Sequence, residues 1–176
     1  MKNFYLFLIL LSFAFGNAQV KLNQHQENAL NLQIQNIQKL FIAQDYRSLA
    51  NTISPKIVKY VYNSKDSVTI GLKFLFDELK TKGVNMDQVI AGAHSQIFKT
   101  KNELQCSVQM TTILKKDTIK TVSEAYLLMV SNDNGKNWCF SLTDGFFRDL
   151  LDIHPKLIIP ERKLFVYDNG ILTNNE

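Results

Sequence analysis

The chain has 176 residues, 20 Lys+Arg against 16 Asp+Glu, a formal charge of +4, two cysteines and 45% hydrophobic residues. That length and composition describe one globular domain and exclude a disordered, collagen-like or cysteine-stapled chain. Four excess positive charges are too few for a nucleic-acid-binding face unless they cluster.

Met1-Lys2-Asn3 is a short basic start, followed by an apolar run from Phe4 to Phe15. Gly16 and Ala18 supply the small residues of a signal-peptidase site, which predicts cleavage after Ala18. The run is shorter than the roughly 20 residues that span a bilayer. Residues 1–18 therefore read as a leader, and the mature chain from Gln19 is expected outside the cytoplasm, periplasmic or extracellular. No cysteine follows the cleavage site, so a lipid anchor is not indicated.

Residues 26–43 carry Leu30, Ile34, Ile37 and Phe41 at helical spacing among Gln, Asn and Lys, an amphipathic helix with one buried face. A short helix over 46–53 follows and stops at Ser54-Pro55. Ile57–Tyr62 is β-branched and aromatic, which suits either a strand or a buried helical turn. Asn63–Ser67 offers N-caps for a helix over 68–82 with Leu72, Leu75, Phe76 and Leu79 on its stripe, and Gly83 ends it.

From Val89 the period changes to alternation. Turn signals at 99–102, 115–118 and 132–135 divide the stretch into strands over 89–99, 103–115, 118–131 and 137–142. Leu104, Cys106, Val108, Met110, Thr112 and Leu114 share one face of the second strand; Gln105, Ser107, Gln109 and Thr111 share the other. Short turns between long strands give an antiparallel meander. A helix over 144–153 precedes Pro155 and Pro160. The domain is expected to run over 19–160, and 161–176 reads as a tail, loosest from Asp168.

Helices followed by antiparallel strands make an α+β fold, N-terminal helices packed on a curved four-stranded meander sheet. The order of a long helix, a short helix around Asp45–Leu49, the 57–62 segment, a helix at 68–82 and four long strands resembles the nuclear transport factor 2-like superfamily. The likeness covers 26–142 and is greatest to exported bacterial members of unassigned function. It implies a cone closed by helices, with room for a ligand. Ketosteroid isomerase and scytalone dehydratase share that scaffold with inactive partner-binding proteins, so fold does not give function.

Ser131-Asn132-Asp133-Asn134-Gly135-Lys136-Asn137-Trp138 matches the Asp-box pattern Ser-x-Asp-x-Gly-x-x-Trp. It reads as a turn lock opened by Ser131, in which Asp133 accepts backbone donors across the turn, Gly135 takes positive φ and Trp138 packs beneath. Cys106 and Cys139 fall on the second and fourth strands. That separation is roughly 9–10 Å at about 4.8 Å per strand, beyond the roughly 7 Å Cα limit of a disulfide. Two free thiols are expected.

The histidines His25, His94 and His154 lack metal-ligand spacing, so no metal is expected. His94, on the first strand, is placed to line a cone. Glu124 is the only carboxylate deep within a strand. A turn at Lys116-Asp117 would set it opposite Gln109, on a face shared with Tyr126, Leu128 and Val130, which are apolar enough to pair two subunits. A homodimer through that convex face is expected. Tyr46, Tyr60 and Tyr62 suit a pocket mouth. Lys115, Lys116 and Lys120 mark a solvated hairpin tip.

No phosphate loop, Gly-x-Ser-x-Gly or paired carboxylates occur, and no cofactor is expected. The leading reading is an exported non-catalytic binding protein with a cone-shaped pocket for a small apolar ligand or a protein partner. Its ligand-binding candidates are Tyr46, Tyr60, His94 and Tyr126. The alternatives are a cofactor-free isomerase, dehydratase or hydrolase with His94 or Glu124 as base, and a structural envelope subunit.

Overall fold

The structure, a computed structural model, describes residues 19–143 and 150–175. The leader expectation and most of the helix expected over 144–153 lie outside the described residues. Among the described residues the fold is α+β, with four helices followed by an open antiparallel sheet of seven strands. An eighth, two-residue strand, β1 (Gln19–Val20), precedes the helices and pairs with β3.

Helix α1 (Gln24–Ala43) starts two residues before the expected position because Asn23 caps it. The Asn23 side chain accepts from the Gln26 N–H at 3.0 Å, and the Gln26 carboxamide accepts from the Asn23 N–H at 2.8 Å. Asp45 caps α2 (Tyr46–Thr52) by accepting from the Ser48 N–H. Ser54 is extended, and Pro55 then opens a new turn, α3 (Pro55–Ile57), which widens into a π-helical turn at Val58–Tyr62. The segment open to two readings is therefore helical.

Ser64 caps α4 (Lys65–Thr81). This helix packs on α2 and the π turn. That narrow seat buries Val68 and Phe76 and half-buries Leu72 and Leu79, but it leaves Leu75 exposed, against expectation.

The strands are β2 (Asn85–His94), β3 (Ile97–Lys99), β4 (Leu104–Lys116), β5 (Ile119–Ser131), β6 (Cys139–Leu142), β7 (Lys163–Asp168) and β8 (Ile171–Asn175). β2 and β3 share one edge of β4, and β6 and β7 share the far edge of β5. The expected first strand is thus broken at Ser95-Gln96, where Ser95 Oγ accepts the Ser107 N–H in place of a ladder bond.

The sheet has more than the four strands expected. Residues 163–175, expected as a tail, are the β7–β8 hairpin. The β4–β5 turn is Asp117-Thr118, with Asp117 at φ 52°, and Lys116 pairs with Ile119. Glu124 therefore lies opposite Thr111, not Gln109.

The core lies between the helices and one sheet face. Leu30, Ile34, Ile37, Leu49 and Ile57 pack against Leu104, Cys106, Val108, Met110, Leu127, Met129, Trp138 and Phe140. Leu142, two residues beyond the buried Phe140 on the same face of β6, is exposed at the strand's end.

The opposite face carries a second cluster of Phe98, Leu128, Val130, Leu157 and Ile159. Residues 150–162 form a strap across it. The buried Gln105 donates from Nε2 to the Asp152 carbonyl at 2.8 Å and accepts the His154 N–H at Oε1, 2.9 Å away. Ser107 Oγ donates to the Ile158 carbonyl, and the Phe98 ring stacks on His154 at 4.9 Å. The alternating polar residues here bind main chain rather than water. The apolar Leu128 and Val130, whose face was expected to pair two subunits, are covered by the chain itself. No helix among the described residues is long and apolar enough to cross a membrane.

Candidate functional site

His94 ends β2 where the sheet edge bulges, facing the first turn of α1. Its Nδ1 lies 2.7 Å from the Ser95 carbonyl and its Nε2 2.6 Å from Glu27 Oε1. Both neighbours are acceptors, so both ring nitrogens are taken up within the protein and neither is presented to a bound molecule. The pair borders an open cleft of about 530 Å³ with Val20, Lys21, Leu22 and Ile97. Glu27 is the partner that sequence reasoning misses. Its only local signal is a carboxylate in the first turn of a helix, which says nothing of a histidine 67 residues away.

Glu124 sits half-buried on the strap side of the sheet, between Thr111 and Lys163 in register. Its carboxylate makes no hydrogen bond or ion pair among the described residues. A catalytic base needs both a substrate-facing cavity and a second donor within hydrogen-bond reach; His94 borders the cleft but its two nitrogens face acceptors, and the Glu124 carboxylate has no donor among the described residues.

The tyrosines do not converge either. Tyr46 packs its ring 5.4 Å from Phe76, with its hydroxyl donating to Gln44. Tyr60 is exposed on the π turn beside Lys59. Tyr126 packs against the second cluster on the far face of the sheet. The four ligand candidates thus occupy four places in the fold.

The Ser131–Trp138 turn is held by its own polar groups. Asp133 Oδ1 accepts from the Ser131 hydroxyl and from the Lys136 and Asn137 amides at 2.9–3.1 Å, while Oδ2 accepts from Asn137 Nδ2. Ser131 Oγ accepts the Gly135 N–H at 2.8 Å, and Trp138 Nε1, buried beneath, donates to the Gly135 carbonyl. Gly135 sits at φ 82°, and an added Cβ would stand 3.1 Å from Gln26 Cγ. Gln26 Nε2 donates to the Asn134 carbonyl at 2.7 Å, so the residue that completes the α1 cap also pins the turn.

Partial burial raises the Asp133 carboxyl, but the donors from Asn137, Ser131 and Lys136 together outweigh it and hold it below the ordinary carboxylate range. Asp133→Ala is expected to cost about 1–3 kcal/mol, read as a lower melting temperature. The depressed folded value means that the charge contributes stability above the ordinary carboxylate range and loses it as pH falls through the folded value. Asp133→Asn should flatten that acid-side fall. An unchanged acid limb would show that the turn does not depend on the charge.

Both cysteines are free. Burial pushes the Cys106 thiol far up and the Cys139 thiol up to about 11. They are protonated thiols rather than nucleophilic thiolates.

A different surface stands out on α4. Ile70 is 69%, Phe74 70% and Leu75 52% exposed. Ile70 and Phe74 are one helical turn apart on one face, and the Lys73–Asp77 ion pair borders them. Gly71 lies between, against the Tyr62 ring. No protein-family model matches the chain, and no curated protein or solved structure matches it significantly.

Proposed function

We propose that the chain is an exported, non-catalytic binding protein on a scaffold of the nuclear transport factor 2-like kind, and that it holds a protein partner on the outer face of α4. The observation that carries this reading is the exposed Ile70, Phe74 and Leu75 on a helix whose seat fully buries only Val68 and Phe76. Large apolar side chains grouped on a helix face mark an interaction surface. The inner side supports a partner rather than a small ligand, because Phe140, Leu30, Leu49 and Met129 fill the space between helices and sheet. The engagement of both His94 nitrogens argues against the isomerase or hydrolase alternative.

Ile70→Ser with Phe74→Ser should leave the melting temperature within the range of neutral surface changes, about 0.5 kcal/mol. A photo-crosslinking residue at position 74, expressed in the native host, should join a discrete second protein, and Ile70→Ser should weaken that product. A clear loss of stability in the double variant would mean that the face is packed within the molecule. A crosslinker that captures nothing at position 74 would end the partner reading.

A further inference from the structure

The sequence contains two Asn-Gly pairs, Asn134-Gly135 and Asn169-Gly170. Each lies at a hairpin tip with both residues at positive φ: 60° and 82° at the first, 49° and 81° at the second. Glycine has no Cβ to shield its amide, so an Asn-Gly pair is open to an internal reaction. The deprotonated glycine nitrogen attacks the asparagine Cγ, a C–N bond forms, and the Cγ–Nδ2 bond breaks with loss of ammonia. Water then opens the resulting succinimide at either carbonyl to give aspartate or isoaspartate. Water is the only co-reactant. The left-handed conformation does not aim the nitrogen at Cγ, so the tip must open first, and what holds each tip sets its rate.

The two tips are held very differently. At the first, the Gly135 N–H donates to Ser131 Oγ, the Gln26 amide grips the Asn134 carbonyl, and Gly135 is buried against Gln26. At the second, the Gly170 N–H makes no hydrogen bond among the described residues. Nothing lies within 4 Å of where its Cβ would stand. Two contacts of 3.2 Å hold Asn169: its N–H to the Thr118 carbonyl and its Nδ2 to Asp168 Oδ1.

We propose that Asn169 is a site of spontaneous deamidation in the folded protein and that the braced Asn134 is protected from it. Conversion at Asn169 replaces the Nδ2 donor with an acceptor and sets a second negative charge beside Asp168. That carboxylate also accepts the Thr118 hydroxyl at 2.7 Å, a second tie between the tips of the β4–β5 and β7–β8 hairpins beside the Asn169 N–H bond to the Thr118 carbonyl. The isoaspartate form adds a backbone carbon within the turn and disturbs the pairing of Asp168 with Ile171. Both forms loosen the outer hairpin.

The test is peptide mapping of the folded protein aged in mildly alkaline buffer, with isoaspartate methyltransferase labelling of the same digests. The peptide bearing Asn169 should gain about 1 Da. It should convert faster than the Asn134 peptide by a factor on the order of ten or more, as expected from one hydrogen bond of ordinary net strength. In urea-denatured protein the two rates should converge, and Ser131→Ala should speed conversion at Asn134 in the folded state. Equal rates in the folded protein, faster conversion at Asn134, or an Asn169 peptide inert while the denatured sample converts would each overturn the proposal.

Discussion

Phe140→Ala is expected to cost about 3–5 kcal/mol, the range for deleting a buried aromatic ring. Phe140 is almost wholly buried, packs its ring 6.1 Å from Phe41 of α1, and pairs with Met129 of β5. Its carbonyl accepts the Ser54 N–H at 2.7 Å and its backbone bridges Ile53, so it joins helices to sheet. The fall in melting temperature should be on the order of 10 °C, with urea unfolding as the second measurement. A ring that lined an open ligand chamber would already face space, and its removal would cost far less. A loss below about 1 kcal/mol would therefore reopen the small-ligand reading that the packed interior now argues against.

Gln105→Leu is expected to cost about 2–4 kcal/mol, although the volume is nearly kept and the side chain becomes more apolar. The carboxamide holds the Asp152 carbonyl and the His154 N–H, and leucine leaves both without that partner. The loss should be local before it is global. Limited proteolysis should cut within 150–162 in the variant under conditions that spare the parent, while the α1–β4 core stays intact. Unchanged stability with an uncut strap would mean that Leu157 and Ile159 hold the segment by apolar contact alone.

The same residue shows where sequence reasoning runs out. Gln105 and Ser107 alternate with Leu104, Cys106 and Val108, and alternation is the signal of a strand with one wet face. A polar side chain that binds water and one that binds a crossing main chain look identical in that pattern. The difference lies some fifty residues away, in an irregular segment with no period of its own.

The helices and the meander were legible because their determinants are local: Asn23 and Ser64 as caps, Leu30, Ile34 and Ile37 at helical spacing, turn residues between alternating runs. The Asp133 turn is nearly as local, since apart from the Gln26 contact its donors and acceptors fall between Ser131 and Trp138. The β7–β8 hairpin also carries a local signal, Asn169-Gly170 between Leu164–Tyr167 and Ile171–Leu172. On the surface side, periodicity marked α4 as amphipathic but did not say that its seat is narrow. Whether Leu75 or Phe74 meets a neighbour depends on α2 and the π turn.

The Gln26 and Glu27 contacts bear on the order in which the molecule assembles. β1 pairs with Ile97 and Phe98, Glu27 with His94, and Gln26 with Asn134, the last across 108 residues of chain. Contacts of such separation form only after the intervening loop has closed. In a chain made amino end first, β1 and Glu27 have nothing to pair with until β2 and β3 have emerged, and Gln26 has nothing until the β5–β6 turn follows. The amino end is thus sewn in by stages, well after it is made.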